Sequence, residues 1–156
     1  MIEKKNIIKE EEKAVLVGVI VKDQTEEQVD EYLDELAFLS ETAGAIAVKS
    51  FKQKLQHPDS KTFVGKGKLE EIKQYVLSKD IDIVIFDDEL TGSQIQNIEK
   101  EIGRRVIDRS DLILDIFAQH AKSREGKAQV ELAQISYLLP RLRGWGESLS
   151  RQVGGR

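Results

Sequence analysis

Two continuous apolar runs constrain the fold of this chain more than any other feature of its sequence. The runs are AVLVGVIV at residues 14–21 and IVIF at residues 83–86, which lies within the predicted strand IDIVIFDD at residues 81–88. Apolar runs that are rich in β-branched residues and lack polar alternation are typical of strands buried on both faces of a parallel sheet. Since parallel strands are joined by long crossovers, the sequence also predicts helices between the strands.

Amphipathic helix patterns occupy the intervals between the strand patterns. One helix begins at Thr25, where Gln28 completes the spacing of a capping box, and ends near Gly44. Each crossover is long enough for a right-handed parallel connection. The sequence therefore predicts an α/β fold with a small four-stranded, mainly parallel sheet flanked by helices on both faces. The predicted strands are 14–21, 45–55, 81–88 and 104–109, and the predicted helices before residue 110 are 25–44, 65–77 and 91–103.

The longest run that can form one helix extends from Ser110 to Arg143. Ser110 is predicted to accept from the free backbone N–H groups of the first turn, and Asp111 and Asp115 suit the positive end of the helix dipole. The residues to Leu139 would span roughly 45 Å at about 1.5 Å per residue, so this helix is predicted to project from the body. Its two apolar patches are Leu112, Ile113, Ile116 and Phe117, and then Val130, Leu132, Ile135, Leu138, Leu139 and Leu142.

A projecting helix with an apolar stripe needs a partner surface. We expect a second helix to return along it after Arg156, which would make residues 110–143 half of an antiparallel helical arm. Without that cover, the chain is expected either to self-associate through residues 128–143 or to leave them poorly ordered. The predicted divisions of the chain are an α/β subdomain at 1–109, the arm helix at 110–143 and a truncated glycine- and arginine-rich loop at 144–156.

Composition excludes several classes of protein. The 156 residues, 40% of them hydrophobic, suffice for one ordinary domain with a core. The absence of cysteine excludes a disulfide scaffold, a thiolate zinc site and a thiol nucleophile. No apolar run approaches the ~18 residues of a membrane span, and the charged N-terminus lacks the apolar core of a signal peptide. We therefore expect a cytoplasmic protein. Residues 3–13 are rich in charge, and we expect them to be frayed.

Charge is divided unevenly along the chain. The formal net charge is −4 at pH 7, and residues 109–156 contribute +3, which leaves −7 for residues 1–108. Such asymmetry indicates that the basic part meets a polyanion. Ordinary solvated helix faces account well enough for residues 122–131, where the two signs alternate, but less well for residues 132–156.

The glycine- and arginine-rich segment after the long helix is the candidate functional site. Arginine binds phosphate through paired hydrogen bonds and stacks on bases, tryptophan offers a stacking face, and glycine allows the backbone to come close. A flexible loop between two helices would also be rich in glycine, so composition alone leaves both interpretations open. The predicted RNA-binding residues are Arg141, Arg143, Trp145, Arg151, Gly154, Gly155 and Arg156.

A different class of function would use two other short motifs. GKGK at 65–68 places glycine amides at a helix start, where anions bind, but a G-x-x-x-x-G-K-[S/T] loop needs wider glycine spacing, and Leu69 replaces its hydroxyl. Asp87–Glu89 follow a strand at the edge where α/β proteins bind ligands, which would suit Mg²⁺. A structural turn and helix caps are the competing interpretations. The alternative prediction is therefore a small nucleotide- or metal-binding domain that uses Gly65–Gly67 and Asp87–Glu89.

Several long phrases of the sequence are hard to obtain by chance. TFVGKGKLEEI occupies residues 62–72, and DRSDLILDIFAQHA, EGKAQVELAQ and LPRL lie in the run from Phe86 to Arg156. Together with the strand-helix-strand start, these phrases resemble the N-terminal region of the HflX family of ribosome-associated GTPases. The resemblance covers essentially the whole chain.

The resemblance implies both an architecture and a set of partners. In that family, an α/β subdomain is followed by two long antiparallel helices joined by a glycine-rich loop, and then by a P-loop GTPase domain. The resemblance implies binding to the large (50S) ribosomal subunit and its 23S rRNA near the peptidyl transferase region, and a role in splitting stalled or stress-inactivated ribosomes. Mapped onto this chain, Ser110–Leu139 corresponds to the first arm helix and Arg141–Arg156 to the rRNA-facing loop.

The GTPase motifs of the family are missing from residues 1–156. The sequence has no phosphate-loop lysine, no Ser or Thr of such a loop to hold magnesium, and no base-recognition motif. We therefore expect a non-catalytic chain without a cofactor or metal of its own. GTP and Mg²⁺ are expected only in the missing GTPase domain, which is itself an expected partner.

Overall fold

The computed structural model describes residues 8, 9 and 11–120 of the chain. Within these residues, four strands alternate with four helices. No helix in this part of the chain is both long and apolar enough to cross a membrane. The strands are β1 (Lys13–Ile20), β2 (Ile46–Lys54), β3 (Ile83–Phe86) and β4 (Arg105–Asp108), and the helices are α1 (Glu26–Thr42), α2 (Lys66–Ser78), α3 (Gly92–Ile102) and α4 (Arg109–His120).

The four strands form one sheet in the order β2-β1-β3-β4, and every pairing is parallel. β1 and β3 lie in the middle of the sheet, where nearly all their residues are buried, as the two apolar runs predicted. β2 is an edge strand in which only Phe51 is buried. The prediction of an α/β fold with a small parallel sheet is therefore confirmed. Because the strand order reverses between β1 and β3, a topological switch point lies at their carboxyl ends.

Helices cover both faces of the sheet, as predicted. α1 and α4 pack on one face, in an apolar cluster that includes Leu36 and Ile113. α2 and α3 pack on the other face, around Val17, Ile72 and Ile98. Burial of each such side chain contributes about 1.5–3 kcal/mol, so the two clusters are the main source of apolar stabilisation in the described part of the fold.

Local capping chemistry sets the helix boundaries. At the start of α1, the Thr25 hydroxyl accepts from the N–H of Gln28 at 3.1 Å, and the Gln28 side chain accepts from the N–H of Thr25 at 3.0 Å, which confirms the predicted capping box. Thr91 and Gln94 form a second box at the start of α3, which was not predicted. Gly103 ends α3 in the left-handed conformation (φ 79°), which glycine adopts without strain.

The start of α4 differs from the prediction. α4 begins at Arg109, and its first turn is capped by Asp108, whose Oδ1 accepts from the N–H of Asp111 at 3.0 Å. Ser110 lies inside the first turn, and its hydroxyl donates to Glu89 at 2.7 Å. The predicted cap at Ser110 is therefore wrong by two residues, because the carboxylate of Asp108 already stands at the position from which a side chain can reach the free N–H groups.

Asp115 and the N-terminal segment also differ from the prediction. The Asp115 carboxylate lies beyond the first turn of α4, where the only acidic residue is Asp111; it is buried and accepts from the N–H of Ile8 at 3.3 Å. Ile8 belongs to the apolar cluster beneath α1 and α4, and Glu12 pairs with Arg105 at 2.6 Å. The expectation of fraying is therefore wrong for Ile8 and Glu12, since burial and an ion pair hold them against the body.

The remainder of the predicted long helix lies outside the described residues. α4 is described as far as His120, and residues 121–156 are not described. The projection of the helix, its second apolar patch and the three proposed divisions of the chain therefore stay predictions.

Candidate functional site

The carboxyl edge of an open parallel sheet is the usual place for ligands in α/β proteins. β3 ends at Phe86, two residues earlier than predicted, so Asp87, Asp88 and Glu89 lie in the loop that leads to α3. This loop borders the switch point, since the N–H of Asp87 donates to the carbonyl of Val17 in β1 at 2.9 Å. The carboxylates therefore stand at the predicted edge, and the partners of their side chains decide what they do there.

Arg109, the first residue of α4, binds the Asp87 carboxylate. Its Nε and Nη2 donate to the same Asp87 oxygen at 3.0 and 2.6 Å. Its Nη1 donates to Glu35 of α1 at 3.0 Å, and Nη2 also lies 3.3 Å from the carbonyl oxygen of Tyr32. The Arg109 and Asp87 side chains are only 17% and 10% exposed, so salt screens this ion pair little. One guanidinium group therefore joins the end of β3, α1 and the start of α4.

Two further contacts tie the loop after β3 to the start of α4. The Ser110 hydroxyl donates to Glu89, and the N–H of Leu90 donates to Oδ2 of Asp108 at 2.9 Å. Three of the four loop residues thus each contact one of residues 108–110. We call residues 87–90 and 108–110, together with the α1 partners of Arg109, the α4 junction.

Burial controls the protonation of the α4 junction. Burial, assisted by the neighbouring charge of Asp87, raises the pKa of Asp88 to about 7. Burial likewise raises the pKa of Asp108 to about 6, although two backbone N–H groups oppose the shift. The pKa of Asp87 is also raised by burial, and the Arg109 charge opposes that shift. Two carboxyl groups of this region therefore bind protons close to neutral pH.

These contacts do not favour the alternative prediction of a metal site. A magnesium site needs carboxylate oxygens that converge on an open position. Asp87 and Glu89 instead bind side chains of α4, and Asp88 accepts a backbone N–H from Val19. In the part of the chain that the structure describes, no three Asp, Glu or His side chains are grouped so that they could hold a metal ion.

Gly65–Gly67, the other half of the alternative prediction, forms the turn that begins α2. Gly65 is the residue before the helix, and its N–H donates to the side chain of Gln53 at 2.9 Å. The Gln53 amide nitrogen lies 3.2 Å from the place a Cβ on Gly65 would occupy, so a larger residue at this position would require the Gln53 side chain to shift slightly. The nearby groove of about 570 Å³ along α2 and α3 is lined by lysines and carboxylates together, which gives it no strong charge of one sign.

The predicted RNA-binding residues lie outside the described part of the chain, and their role stays a prediction. These residues are Arg141, Arg143, Trp145, Arg151, Gly154, Gly155 and Arg156.

The α4 junction was not predicted, because its central ion pair joins residues 22 positions apart and no local spacing marks such a pair.

Two family profiles match the chain in succession. Residues 30–118 match the profile described as GTP-binding GTPase N-terminal, and residues 120–156 match the profile described as GTP-binding GTPase middle region. The first match spans β2, β3, β4, α2 and α3, and most of α1 and α4. The fold and the profiles together define the class, which is the N-terminal part of a GTP-binding GTPase.

Curated relatives narrow the class further. GTPase HflX of Flavobacterium psychrophilum is 54% identical over 144 residues, which cover 92% of this chain and 35% of the relative. GTPase HflX of Escherichia coli is 44% identical over 145 residues, which cover 92% of this chain and 33% of the relative. The chain belongs to the HflX family of GTPases and corresponds to an N-terminal portion of its members. It spans about a third of the length of these relatives.

Two solved structures share the fold. A GTP-binding protein from the archaeon Sulfolobus solfataricus, in complex with GDP, is 28% identical with a TM-score of 0.54 over 92% of this chain and 43% of that one. A substituted variant of a protein called SsGBP is 29% identical with a TM-score of 0.56 over 85% of this chain and 42% of that one. In these structures too, the matched region is less than half of the solved chain.

Proposed function

We propose that this chain is the ribosome-binding portion of an HflX-type GTPase, which binds 23S rRNA of the 50S subunit and takes part in ribosome splitting. The proposed contact residues are those of the glycine- and arginine-rich segment, from Arg141 to Arg156. The proposed site of action is the cytoplasm, where ribosomal particles are found.

The division of charge is the observation on which this proposal rests. Residues 1–108 have a net charge of −7, whereas residues 132–156 contain four arginines and a single glutamate. RNA phosphates repel an acidic surface and attract arginine, which binds them through paired hydrogen bonds. The basic residues belong to the segment that matches the GTPase middle region, and α4 leads directly into that segment. We infer that the α/β body supports the segment and that the segment makes the RNA contact.

We also propose that the chain is non-catalytic. The carboxylates at the edge where an α/β enzyme would bind its ligand are engaged in the α4 junction. Residues 1–156 contain no phosphate-binding G-x-x-x-x-G-K-[S/T] motif. Since the curated relatives are named as GTPases and are about three times as long as this chain, we assign GTP and Mg²⁺ binding to a GTPase domain outside these residues, which is a proposed partner.

The proposal is tested by co-sedimentation of the full chain with purified 50S subunits at low ionic strength. The test variant replaces Arg141, Arg143, Arg151 and Arg156 with alanine. Because each arginine lost removes a charge-assisted phosphate contact, we expect the Kd for 50S to rise roughly 10- to 100-fold.

A matched control removes the same amount of positive charge from the body. Its four alanine substitutions are at lysines that are exposed and form no ion pair with a described residue, and we expect a change of less than about threefold. Equal loss of binding in the two variants would show that net charge alone is responsible, and unchanged binding of the arginine variant would exclude this segment as the contact. The control positions are Lys22, Lys54, Lys79 and Lys100.

A further inference from the structure

Apolar packing holds α4 on the sheet but does not by itself fix its direction. Leu112, Ile113 and Ile116 are at most 1% exposed and attach the helix to the face that it shares with α1. The hydrophobic effect is non-directional, so it resists removal of these side chains from the core more strongly than a change in helix angle. Hydrogen bonds and close ion pairs depend on angle, and they decide the orientation of an element that is already packed.

The angle-dependent contacts of α4 converge on its first residue. Arg109 uses Nε, Nη1 and Nη2 to bind Asp87, Glu35 and the carbonyl oxygen of Tyr32. The planar guanidinium group fixes the relative positions of its acceptors in a way that a lysine ammonium does not. At the far end of the described helix, the Gln119 amide donates to the carbonyl of Ala43, which ends α1. α4 is therefore held at both ends, and its start is held by a charged group.

We propose that Arg109 is a positioning residue: by joining Asp87, Glu35 and the Tyr32 carbonyl, it fixes the direction in which α4 leaves the α/β body and thereby the presentation of residues 120–156 to rRNA. This inference rests on the proposed function of that segment. Arg109 does not touch the RNA. It acts through the helix that it begins.

A small change at the start of a helix grows with distance along it. For a rigid helix, a tilt of about 10° displaces a point about 30 Å along the axis by about 5 Å, which exceeds the tolerance of any hydrogen bond. Residues 121–156, which lie outside the described part of the chain, follow α4 in the sequence, so in the proposed function the α4 junction sets the direction in which the chain enters them. The body, which is acidic and does not bind RNA in the proposed function, acquires a role through this junction.

Removal of Arg109 alone changes charge as well as direction. Without the guanidinium group, the Asp87 carboxylate is left buried beside Asp88 and close to Glu35, which destabilises the fold. The double variant Asp87→Asn with Arg109→Met removes the unpaired charge and still lacks the directional contact. A residue with a merely structural role regains its function when stability is regained, whereas a positioning residue does not.

The experiment compares the full chain with Arg109→Met, with the double variant and with Arg109→Lys. Arg105→Met is the control, because Arg105, the first residue of β4, also forms an ion pair, with Glu12, but lies outside the α4 junction. Three quantities are measured for each protein: the melting temperature, amide hydrogen exchange of residues 109–116, and the Kd for 50S. All Kd measurements are made where each variant is fully folded.

We expect Arg109→Met to raise the exchange rates in the first turns of α4 and the Kd for 50S by about tenfold each. The double variant should recover the melting temperature but keep the weakened Kd and the faster exchange, and Arg109→Lys should be intermediate. Arg105→Met should stay within about twofold of wild type in Kd and in α4 exchange.

Two results would overturn the inference while leaving the proposed function intact. One is wild-type affinity in Arg109→Met, and the other is recovery of affinity in the double variant together with its stability. If the wild-type chain fails to bind 50S at all, the proposed function is wrong instead. In that case, amide hydrogen exchange in the free protein still tests whether Arg109 anchors the start of α4. Equal protection of α4 in wild type and in all Arg109 variants would contradict this anchoring.

Discussion

At the scale of single residues, the carboxyl group of Asp88 makes the stability of the fold depend on pH. Its pKa is raised from 3.8 to about 7, because burial and then the charge of Asp87 disfavour the ionised form. Between about pH 4 and pH 7, the folded chain therefore binds a proton at Asp88 that the unfolded chain has released. Asp88 therefore makes the chain progressively less stable as pH rises through that window. Above the window, the loss of stability stays constant.

We predict that Asp88→Asn stabilises the chain at pH 8 by roughly 1–3 kcal/mol, because it removes an ionised group from a half-buried, desolvated position and keeps an oxygen for the Val19 N–H. At pH 5 the difference between the variant and wild type should be much smaller. Urea unfolding at the two pH values measures both free energies. A variant that is less stable than wild type at pH 8 would contradict the assignment of the raised pKa.

At the scale of elements, α1 comes unusually close to β1 at Gly18. A Cβ on Gly18 would lie 3.1 Å from the Val29 side chain and 3.2 Å from the Leu33 side chain, both of which are buried. Glycine at this position therefore sets the distance between the helix and the sheet. Gly67 in the first turn of α2 presents the opposite case, since nothing lies within 4 Å of the corresponding point.

We predict opposite effects for alanine at these two positions. Gly18→Ala should destabilise the chain by about 1–2 kcal/mol, because the new methyl group overpacks the contact between α1 and β1. Gly67→Ala should stabilise it by about 0.5–1 kcal/mol, because alanine loses less entropy than glycine in a helix and meets no neighbour. Thermal unfolding of both variants provides the test. Stabilisation by Gly18→Ala would show that α1 is free to move away from the sheet.

The elements could be predicted from the sequence because their signals are local. The apolar run at residues 14–21, the Thr25 capping box and the Gly103 stop each lie within one element or at its end. The α4 junction could not be predicted in this way, because Arg109 contacts residues 22 and 74 positions away in the chain. Of the three carboxylates that suggested a metal site, Asp87 is the partner of Arg109, and only the sheet order brings these two groups together.

At the scale of the whole molecule, the apolar residues of the proposed arm lead to a prediction about association. Ile135, Leu138, Leu139 and Leu142 recur at helical spacing, and all lie outside the described residues. We predict that the chain either self-associates through residues 128–143 or leaves them poorly ordered. Where it self-associates, Leu138→Glu with Leu139→Glu should prevent it, because a buried charge at such a contact is costly. Sedimentation velocity over a range of concentrations measures both. A wild-type monomer at high concentration with residues 128–143 strongly protected from exchange would contradict the prediction.

The charge division of the whole chain gives the central claim its most direct test, which is the salt dependence of 50S binding. For wild type and for the variant without Arg141, Arg143, Arg151 and Arg156, the logarithm of affinity is measured against the logarithm of salt concentration. Each phosphate neutralised contributes about 0.7–0.9 to the slope, so we expect the variant to bind more weakly and its slope to be shallower by about 3. Parallel lines of equal slope for the two proteins would contradict the claim that these arginines contact rRNA.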